Sequence, residues 1–461
     1  MKIGFISLGC PKNLVDTEVM MGQLTSADHV LTSRPEEAEV IVVNTCSFID
    51  PAKQESVDTI LEMAEHKKTG RAKKLIVAGC LVERYRGDIQ KDLPEVDALV
   101  GTNELDKIVA LCQGEEPALN PFEPYLYHDL TPRVLSTPKH FSYIKISEGC
   151  DHPCSFCVIP QYRGANRSRR PESVIAEANR MFAQGIREIN LIGQDTTAYG
   201  EDLGIKDGLA HLLGRLAELP TRDAKWVRFL YAYPNRVSTK LLETIAAHDS
   251  LVKYIDMPLQ HASASVLKRM KRGASGDIFL KLLEKVRRTI PGVSIRTSFI
   301  VGFPGETEAD FEELMQFVQA AQFDRLGVFS FSDEDTAGSY KLDGKVDGRT
   351  IENRKRKLMA LQKRISRANN RKLVGREFSV LLDGPSSETD LLWECRLPSQ
   401  APEIDGVCYV NDLGEGEAFP GQFRRLRVTE AHDYDVVGEL IDEAPREPVR
   451  KEDAFRILAS A

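Results

Sequence analysis

Tyr143-Ile144-Lys145-Ile146-Ser147-Glu148-Gly149-Cys150-Asp151-His152-Pro153-Cys154-Ser155-Phe156-Cys157 is the stretch from which the rest of the chain is read. Its apolar start predicts a strand, which runs into a glycine turn and then a loop with cysteines at x3 and x2 spacing. Thiolates are soft ligands that suit zinc or the iron of iron–sulfur clusters, and three so close together let one loop wrap a single centre. A structural zinc site closes a tetrahedron and would draw a fourth ligand such as His152, whereas a cubane cluster on three thiolates keeps one iron open; the ligand counts favour iron–sulfur. Arg163, Arg167, Arg169 and Arg170 follow the loop. Either they clamp a carboxylate of a cofactor or acidic substrate, or they form a solvated basic loop beside a helix start.

Outward from this strand the patterns of strand and helix alternate six times. Strands are predicted over Ser142–Ser147, Glu188–Ile192, Trp226–Tyr231, Lys253–Met257, Ser294–Ile300 and Arg325–Phe331. Among the helices between them, Pro171–Ala183 opens on proline and Ser275–Thr289 on a serine cap. Six such units predict an open, partial (β/α)6 TIM-like barrel, in which function gathers at the C-terminal ends of the strands. The polar residues there are Gln194, Asp195, Thr196 and Thr197, then Pro258, Leu259, Gln260 and His261, then Gly302 to Thr307. Any one of these loops is turn chemistry as readily as a ligand contact, but together they favour a shared site. The glycines of the last group would let backbone approach a ligand closely. His261 is read equally as a core or capping histidine and as a substrate contact.

Before residue 140, the apolar runs Lys2–Leu8, Val40–Val43 and Lys74–Ala78 lead into Gly9-Cys10, Asn44-Thr45-Cys46 and Gly79-Cys80. Helical patterns over Asn13–Leu24 and Ala52–Glu65 separate them. That alternation predicts a parallel sheet whose strand C-termini share one edge, the edge at which such sheets bind ligands. Cys10, Cys46 and Cys80 should therefore converge as a second three-thiolate site, unless each is only a small residue closing its strand. Cys112, in the helical pattern Glu104–Cys112, is read as core. Five prolines between Gln113 and Pro138 predict an extended connector and a domain boundary near residue 138.

Toward the C-terminus, Arg349–Lys372 reads as a basic amphipathic bridging helix with Leu358, Leu361 and Ile365 on its apolar face. Short strands follow at Phe378–Leu382, Val407–Val410, Phe423–Val428 and Tyr434–Leu440, which predict a small all-β, OB-like five-stranded barrel with one strand unplaced. From Lys372 to Asp442 there are 6 Lys and Arg against 15 Asp and Glu, a net of −9. A nucleic-acid module should show the reverse sign, so this barrel suits a basic partner, such as a protein. Cys395 and Cys408 are read as structural.

The whole is thus predicted to be an α/β multidomain protein of 461 residues with 42% hydrophobic and 28% charged residues, ordinary for a globular chain. Its apolar runs are too short to span a bilayer. Ser7-Leu8-Gly9-Cys10 resembles a lipoprotein cleavage box, but Ile3–Leu8 is too short an apolar core for a secretory signal. Nine cysteines without a regular disulfide framework suit a reducing, cytoplasmic setting. The net charge of −8 argues against a surface built for phosphate backbones, though not against a local basic patch.

The cysteine loop, with Phe156 before its third cysteine, resembles the cluster motif of the radical S-adenosylmethionine enzymes. Four longer stretches carry a closer resemblance: Ser7-Leu8-Gly9-Cys10-Pro11-Lys12-Asn13-Leu14-Val15-Asp16, Gln194-Asp195-Thr196-Thr197-Ala198-Tyr199, Pro258-Leu259-Gln260-His261-Ala262-Ser263 and Ala401-Pro402-Glu403-Ile404-Asp405-Gly406. By these the chain resembles the methylthiotransferases over nearly its whole length, the RimO type more than the MiaB type. The resemblance implies an N-terminal cluster domain over 1–138, a radical SAM barrel with its bridging helix over 139–371, a TRAM domain over 372–442 and a tail over 443–461. It implies one 4Fe–4S cluster on Cys10, Cys46 and Cys80, which carries the sulfur, and another on Cys150, Cys154 and Cys157, which splits S-adenosylmethionine to a radical. Gln194, Asp195, Gln260, Gly302 and Glu306 are the expected cofactor contacts. The implied reaction is methylthiolation of the β-carbon of an aspartate in ribosomal protein S-twelve, on or off the small subunit, with an electron donor and a sulfur donor and no membrane partner. The alternative is a MiaB-type transfer RNA adenosine methylthiotransferase; a different class is a zinc-bearing RNA-binding scaffold without catalysis. If the first reading holds, the two cysteine trios should face each other across one cavity.

Overall fold

The computed structural model describes residues 1–118, 125–414 and 416–442, and the backbone of Arg456–Leu458. Apart from that backbone, the tail expected over 443–461 lies outside the described residues.

The N-terminal sheet has five parallel strands, β1 (Lys2–Ser7), β2 (Val30–Thr32), β3 (Val40–Thr45), β4 (Lys74–Gly79) and β5 (Ala98–Val100), in the order β2-β1-β3-β4-β5. Helix α1 (Pro11–Ser26) connects β1 to β2, and α2 (Asp50–Thr69) connects β3 to β4. The central strands are covered on both faces, which is why Val-Ile-Val-Val in β3 is a continuous apolar run and not an alternating one. The edge strands β2 and β5 have three residues each, too few to show a period, and the sequence reading missed them.

The half-barrel strands are β6 (Phe141–Lys145), β7 (Glu188–Ile192), β8 (Trp226–Phe229), β9 (Tyr254–Asp256), β10 (Ser294–Val301) and β11 (Arg325–Ser330). They pair in parallel as two ladders, β8-β7-β6 and β9-β10-β11. Three backbone hydrogen bonds sew the ladders together: Val227 N–H to Ser250 C=O (2.8 Å), Val252 N–H to Val227 C=O (3.1 Å) and Ala232 N–H to Asp256 C=O (2.9 Å). Helix α3 (Pro171–Ala183) opens on its proline as expected. Ser275 does precede α4 (Gly276–Thr289), but its hydroxyl makes no capping bond. The long helix α5 (Gly348–Arg371) presses Leu358, Leu361 and Ile365 into the half-barrel core and sends Lys363 and Arg367 to Asp433 of the next domain, so it bridges the two.

The C-terminal barrel is closed, with β12 (Glu377–Pro385), β13 (Trp393–Arg396), β14 (Cys408–Asp412), β15 (Phe423–Ala431) and β16 (Val436–Leu440) in the cyclic order β12-β13-β14-β16-β15. The unplaced strand is β13. Part of the acidity counted there is paired against the half-barrel: Asp383 pairs with Arg396 and His140, Asp405 accepts from Tyr254, and the exposed Glu403 accepts from Tyr143.

All three units meet inside the half-barrel. Val15 and Val19 of α1, Tyr143, Ile192, Trp226 and Tyr254 of the strands, and Leu381 and Ala401 of the C-terminal barrel form one buried cluster. The described part of the proline-rich connector is correspondingly fixed. Arg133, 1% exposed, pairs with Glu18 of α1 and Glu177 of α3, and Arg133–Leu135 pairs antiparallel with Arg456–Leu458.

Candidate active site

Parallel pairing places Cys10, Cys46 and Cys80 together just beyond β1, β3 and β4, as the alternation predicted. Two glycines make the approach possible. Gly9, at φ +89°, leaves room that a Cβ would take within 2.7 Å of Cys46 Cβ, and Gly79, at φ +96°, would carry a Cβ to 2.3 Å from Asn44 Oδ1. Asn13 locks the cradle: its Nδ2 donates to the carbonyls of Leu8 (3.1 Å) and Thr45 (2.9 Å), and its Oδ1 accepts from Arg163 (2.7 Å). Burial pushes the Cys80 thiol up to about 11, against the pull of the Arg163 guanidinium, whose Nη2 lies 3.3 Å from its sulfur. Burial also raises Cys46, and the neighbouring Cys10 adds to it.

The second trio lines a cavity of about 490 Å³ with His152, Gln161, Lys271 and Gly338. Its loop is pinned at Ser155, whose N–H donates to Met270 C=O (3.1 Å) and whose Oγ donates to Arg269 C=O (2.8 Å). Burial pushes Cys150 up to about 11 and Cys157 to about 12. Beside the loop stands a chain of contacts the sequence did not announce. Asp195 meets His152 Nε2 at 2.6 Å, the His152 ring stacks on Tyr233 at 3.7 Å, and Arg272 covers the same tyrosine at 4.2 Å with Nη1 3.7 Å from Cys154 Sγ. His152 is therefore engaged as a stacking and hydrogen-bonding group, away from the role of a fourth zinc ligand.

Among the described residues, no group of three or more His, Cys, Asp or Glu converges as a single metal ion requires. Around tetrahedral zinc, sulfurs held at about 2.3 Å from the metal stand roughly 3.8 Å apart. A cubane spreads its thiolates over separate irons and can be held by three of them, the number each trio supplies.

The expected cofactor contacts divide. Asp195 is held at the mouth by His152 and Thr197. Gln194 donates to Glu148 (2.8 Å), and its Oε1 is buried without a partner, the state of a group aimed at a ligand. Gln260 takes φ +73° between backbone bonds to Ser298 and Ile300. Gly302 and Glu306 also hold the fold: a Cβ on Gly302 would strike Ile351 of α5 at 2.3 Å, and the buried Glu306 carboxylate accepts from the Gly302 and Phe303 amides, while its Oε1, like that of Gln194, has no hydrogen-bond partner. The glycines of that turn thus admit protein, since a Cβ on Gly305 would likewise meet Arg269. His261 is fully buried, with Nδ1 accepting from Ser263 N–H. The four arginines also turn out otherwise than expected. Arg163 and Arg169 are buried ion-pair partners of Asp16, Glu148 and Glu177, Arg167 bonds to the loop's own carbonyls, and only Arg170 is exposed. Arg163 is also the direct link between the two halves of the site, since it follows the second trio in sequence and touches Cys80 of the first. The 490 Å³ cavity itself is lined by the second trio and not by the first.

Three sequence profiles match the chain: the uncharacterized protein family UPF0004 over residues 2–101, the radical SAM superfamily over 144–318 and the TRAM domain over 374–441. The ribosomal protein uS12 methylthiotransferase RimO of Solibacter usitatus (strain Ellin6076) is 74% identical over 448 residues, 97% of this chain and 96% of that one. The chain belongs to the RimO family of radical SAM methylthiotransferases. Its RimO relatives include that of Koribacter versatilis (strain Ellin345), 58% identical over 95% of this chain and 96% of its own, and that of Myxococcus xanthus (strain DK1622), 48% identical over 95% and 91%. In fold it resembles the radical S-adenosylmethionine methyltransferase TsrM from Kitasatospora setae, solved with cobalamin and a [4Fe-4S] cluster, at a TM-score of 0.53 and 13% identity over 71% of this chain and 72% of that one. As a radical SAM transferase of the RimO family, the protein uses S-adenosylmethionine and 4Fe–4S chemistry. Among the described residues no helix is long and apolar enough to cross a membrane.

Proposed function

We propose that this protein methylthiolates the β-carbon of an aspartate in ribosomal protein uS12, with one 4Fe–4S cluster on Cys150, Cys154 and Cys157 and another on Cys10, Cys46 and Cys80. The observation that supports the reading is that Arg163, six residues beyond Cys157, donates to Glu148 just before the second cysteine loop (2.9 Å) and lies 3.3 Å from Cys80 of the first trio. When bound, the clusters and S-adenosylmethionine supply the radical that removes a hydrogen atom and the sulfur that replaces it, chemistry for which an unactivated C–H bond offers acid–base groups no purchase.

The chain's own residues hold and orient. Arg272 places a positive charge beside Cys154, and Arg163 places one beside Cys80, each offsetting thiolate charge. Gln194 presents its unpartnered carbonyl oxygen and Asp195 its carboxylate at the strand ends, where the donors of a cofactor's amino group or ribose would be met. Helix α1 and the 398–406 loop fill the half-barrel interior and leave the strand C-termini as the place for substrate. We assign 1–138, 139–371 and 372–442 as the three functional units, supported by the separate cores of the N-terminal sheet, half-barrel and closed barrel. The net acidity of the last suits a basic ribosomal protein, and the cytoplasm is where that protein would be met.

The test is product mass after anaerobic incubation with S-adenosylmethionine, sulfide and reductant. Offered uS12 and bulk transfer RNA together, the enzyme should add a methylthio group to uS12; a gain on the RNA alone overturns the reading.

A further inference from the structure

Lys12 is a buried cation that, among the described residues, has no carboxylate within salt-bridge range. It is 9% exposed, lies two residues beyond Cys10, and occupies the first turn of α1, where the helix N-terminus disfavours positive charge. Its Nζ stands 3.5 Å from the centroid of the Tyr231 ring and donates to the Gly193 carbonyl at 3.3 Å. An ammonium has three donors, so one carbonyl and a ring face leave it a donor short of satisfaction. The other buried cations of this seam, Lys145, Arg133, Arg163 and Arg169, all have carboxylates.

The platform under Lys12 is built with care. Tyr231 is a non-glycine residue at φ +64°, a conformation rarely adopted by bulky side chains, and it is held there by the Asp256 carboxylate on its N–H (3.0 Å) and by Thr196 N–H on its C=O (3.1 Å). Two residues on, Tyr233 carries the stack with His152 of the second cysteine loop. The segment Tyr231-Ala232-Tyr233 thus aims one ring at the cation beside the first trio and the next ring at the loop of the second. Lys12 thus lies between Cys10 of the first trio and the Tyr231-Ala232-Tyr233 segment that reaches the loop of the second.

We propose that the Lys12 ammonium binds the side-chain carboxylate of the target aspartate, presenting the β-carbon between the two trios and selecting aspartate over a neutral residue of the same shape. The assignment rests on the uS12 reading above. Asparagine in that place would offer one weaker acceptor and turn an amide toward a cation, which is the kind of mismatch that hydrogen-bonding sites reject strongly.

The test measures binding, without turnover, of labelled uS12 carrying either the target aspartate or asparagine in its place to the anaerobically reconstituted full chain. The wild-type protein should prefer aspartate about tenfold to a hundredfold, as expected of one charge-assisted contact. Lys12→Met, which keeps the stem on Tyr231, should lose the preference, Lys12→Arg should retain part of it, and the iron content and visible spectrum of both should match wild type. Equal binding of the two uS12 forms by the wild type overturns the proposal without needing any variant. So does a Lys12→Met protein that weakens on both forms alike, or one that loses iron, since Lys12 would then serve the cluster and not the substrate. A wild type that binds transfer RNA and neither form of uS12 overturns the parent reading, and this assignment with it.

Discussion

Glu18→Gln and Arg133→Met together should damage the seam between α1 and the half-barrel far less than the sum of the two separately. The reason is a closed charge count. Glu18 and Glu177 face Arg133 and Arg169, every side chain is at most 2% exposed, and the four sum to zero. Either single change leaves one uncompensated charge in that site, which costs about 3–5 kcal/mol. The double variant leaves Glu177 with Arg169, again neutral. The glutamine introduced by Glu18→Gln keeps an oxygen for the Ser136 N–H, which now donates to the Glu18 carboxylate at 2.6 Å. What remains are the Tyr143 carbonyl and Glu177 Oε1, which lose Arg133 Nη2 at 2.8 Å and Nη1 at 2.7 Å, and the new glutamine N–H group, each a buried polar group short of a partner. Arg133→Met alone carries the first two of these and a stranded Glu18 charge as well, so the double should fall well short of the sum of about 6–10 kcal/mol that additivity would give. A chain of several domains does not unfold in one step, so the measurement is native-state hydrogen exchange of the α1 amides with the clusters in place. A double variant as unstable as the sum of the singles would refute the charge-count argument.

Anaerobically reconstituted protein should hold about eight irons, and changing Cys10, Cys46 and Cys80 together to alanine should leave about half, read by iron analysis; an unchanged content removes the first trio as a cluster site. His152→Phe keeps a ring to stack on Tyr233, and its iron content should stay at the wild-type value, whereas a drop would make His152 a ligand. Gly302→Ala puts a Cβ 2.3 Å from Ile351 at φ +81° and should destabilise the α5 docking by about 1–3 kcal/mol, seen as faster exchange in α5, with Ile351→Ala restoring part of it. Burial pushes the Glu177 carboxyl up, but Arg169 and Arg133 outweigh it and hold it below its ordinary value of 4.5. Its stabilising contribution is thus complete above that unfolded value and is lost as pH falls from there through the folded one, so Glu177→Gln should flatten the acid limb of α1 protection.

What could be read from the sequence was whatever has a period or a fixed spacing. β7, Glu188–Ile192, and α3, Pro171–Ala183, fall where apolar pattern and proline put them, and the convergence of Cys10, Cys46 and Cys80 follows from strand alternation alone. β13, Trp393–Arg396, was missed because a four-residue strand with two buried positions shows no alternation. The polar residues were the harder part. Arg163, Glu306 and Gly302 look like ligand groups by type and place, but their partners, Asp16, the Phe303 amide and Ile351, are set by tertiary packing that no local spacing encodes. Tyr233 and Arg272 escaped for the same reason: neither belongs to a motif, and only the fold brings them to His152 and Cys154.

The buried charges at the seam explain how two trios on different domains keep one geometry. Apolar contacts alone, such as Val15 and Val19 against Tyr143 and Trp226, would tolerate a shift of α1 by a fraction of a turn, because packing is non-directional and volume can be refilled. The polar contacts would not. Asp16 meets Lys145 and Arg163, and Glu18, two residues on, meets Arg133, so a slip would strand two carboxylates and leave Lys145 and Arg163 sharing Glu148 alone, and Arg133 and Arg169 sharing Glu177. Such networks add little net stability over an apolar seam of the same shape, but they penalise every other register. Because α1 starts directly after Cys10 and Arg163 follows the second trio, the register they fix is the placement of one set of thiolates against the other. The seam is then required for function even where it is dispensable for folding: neutral, well-packed replacement of all of Asp16, Lys145, Glu148 and Arg163 should leave a folded protein with both trios able to load iron, yet with sulfur transfer lost.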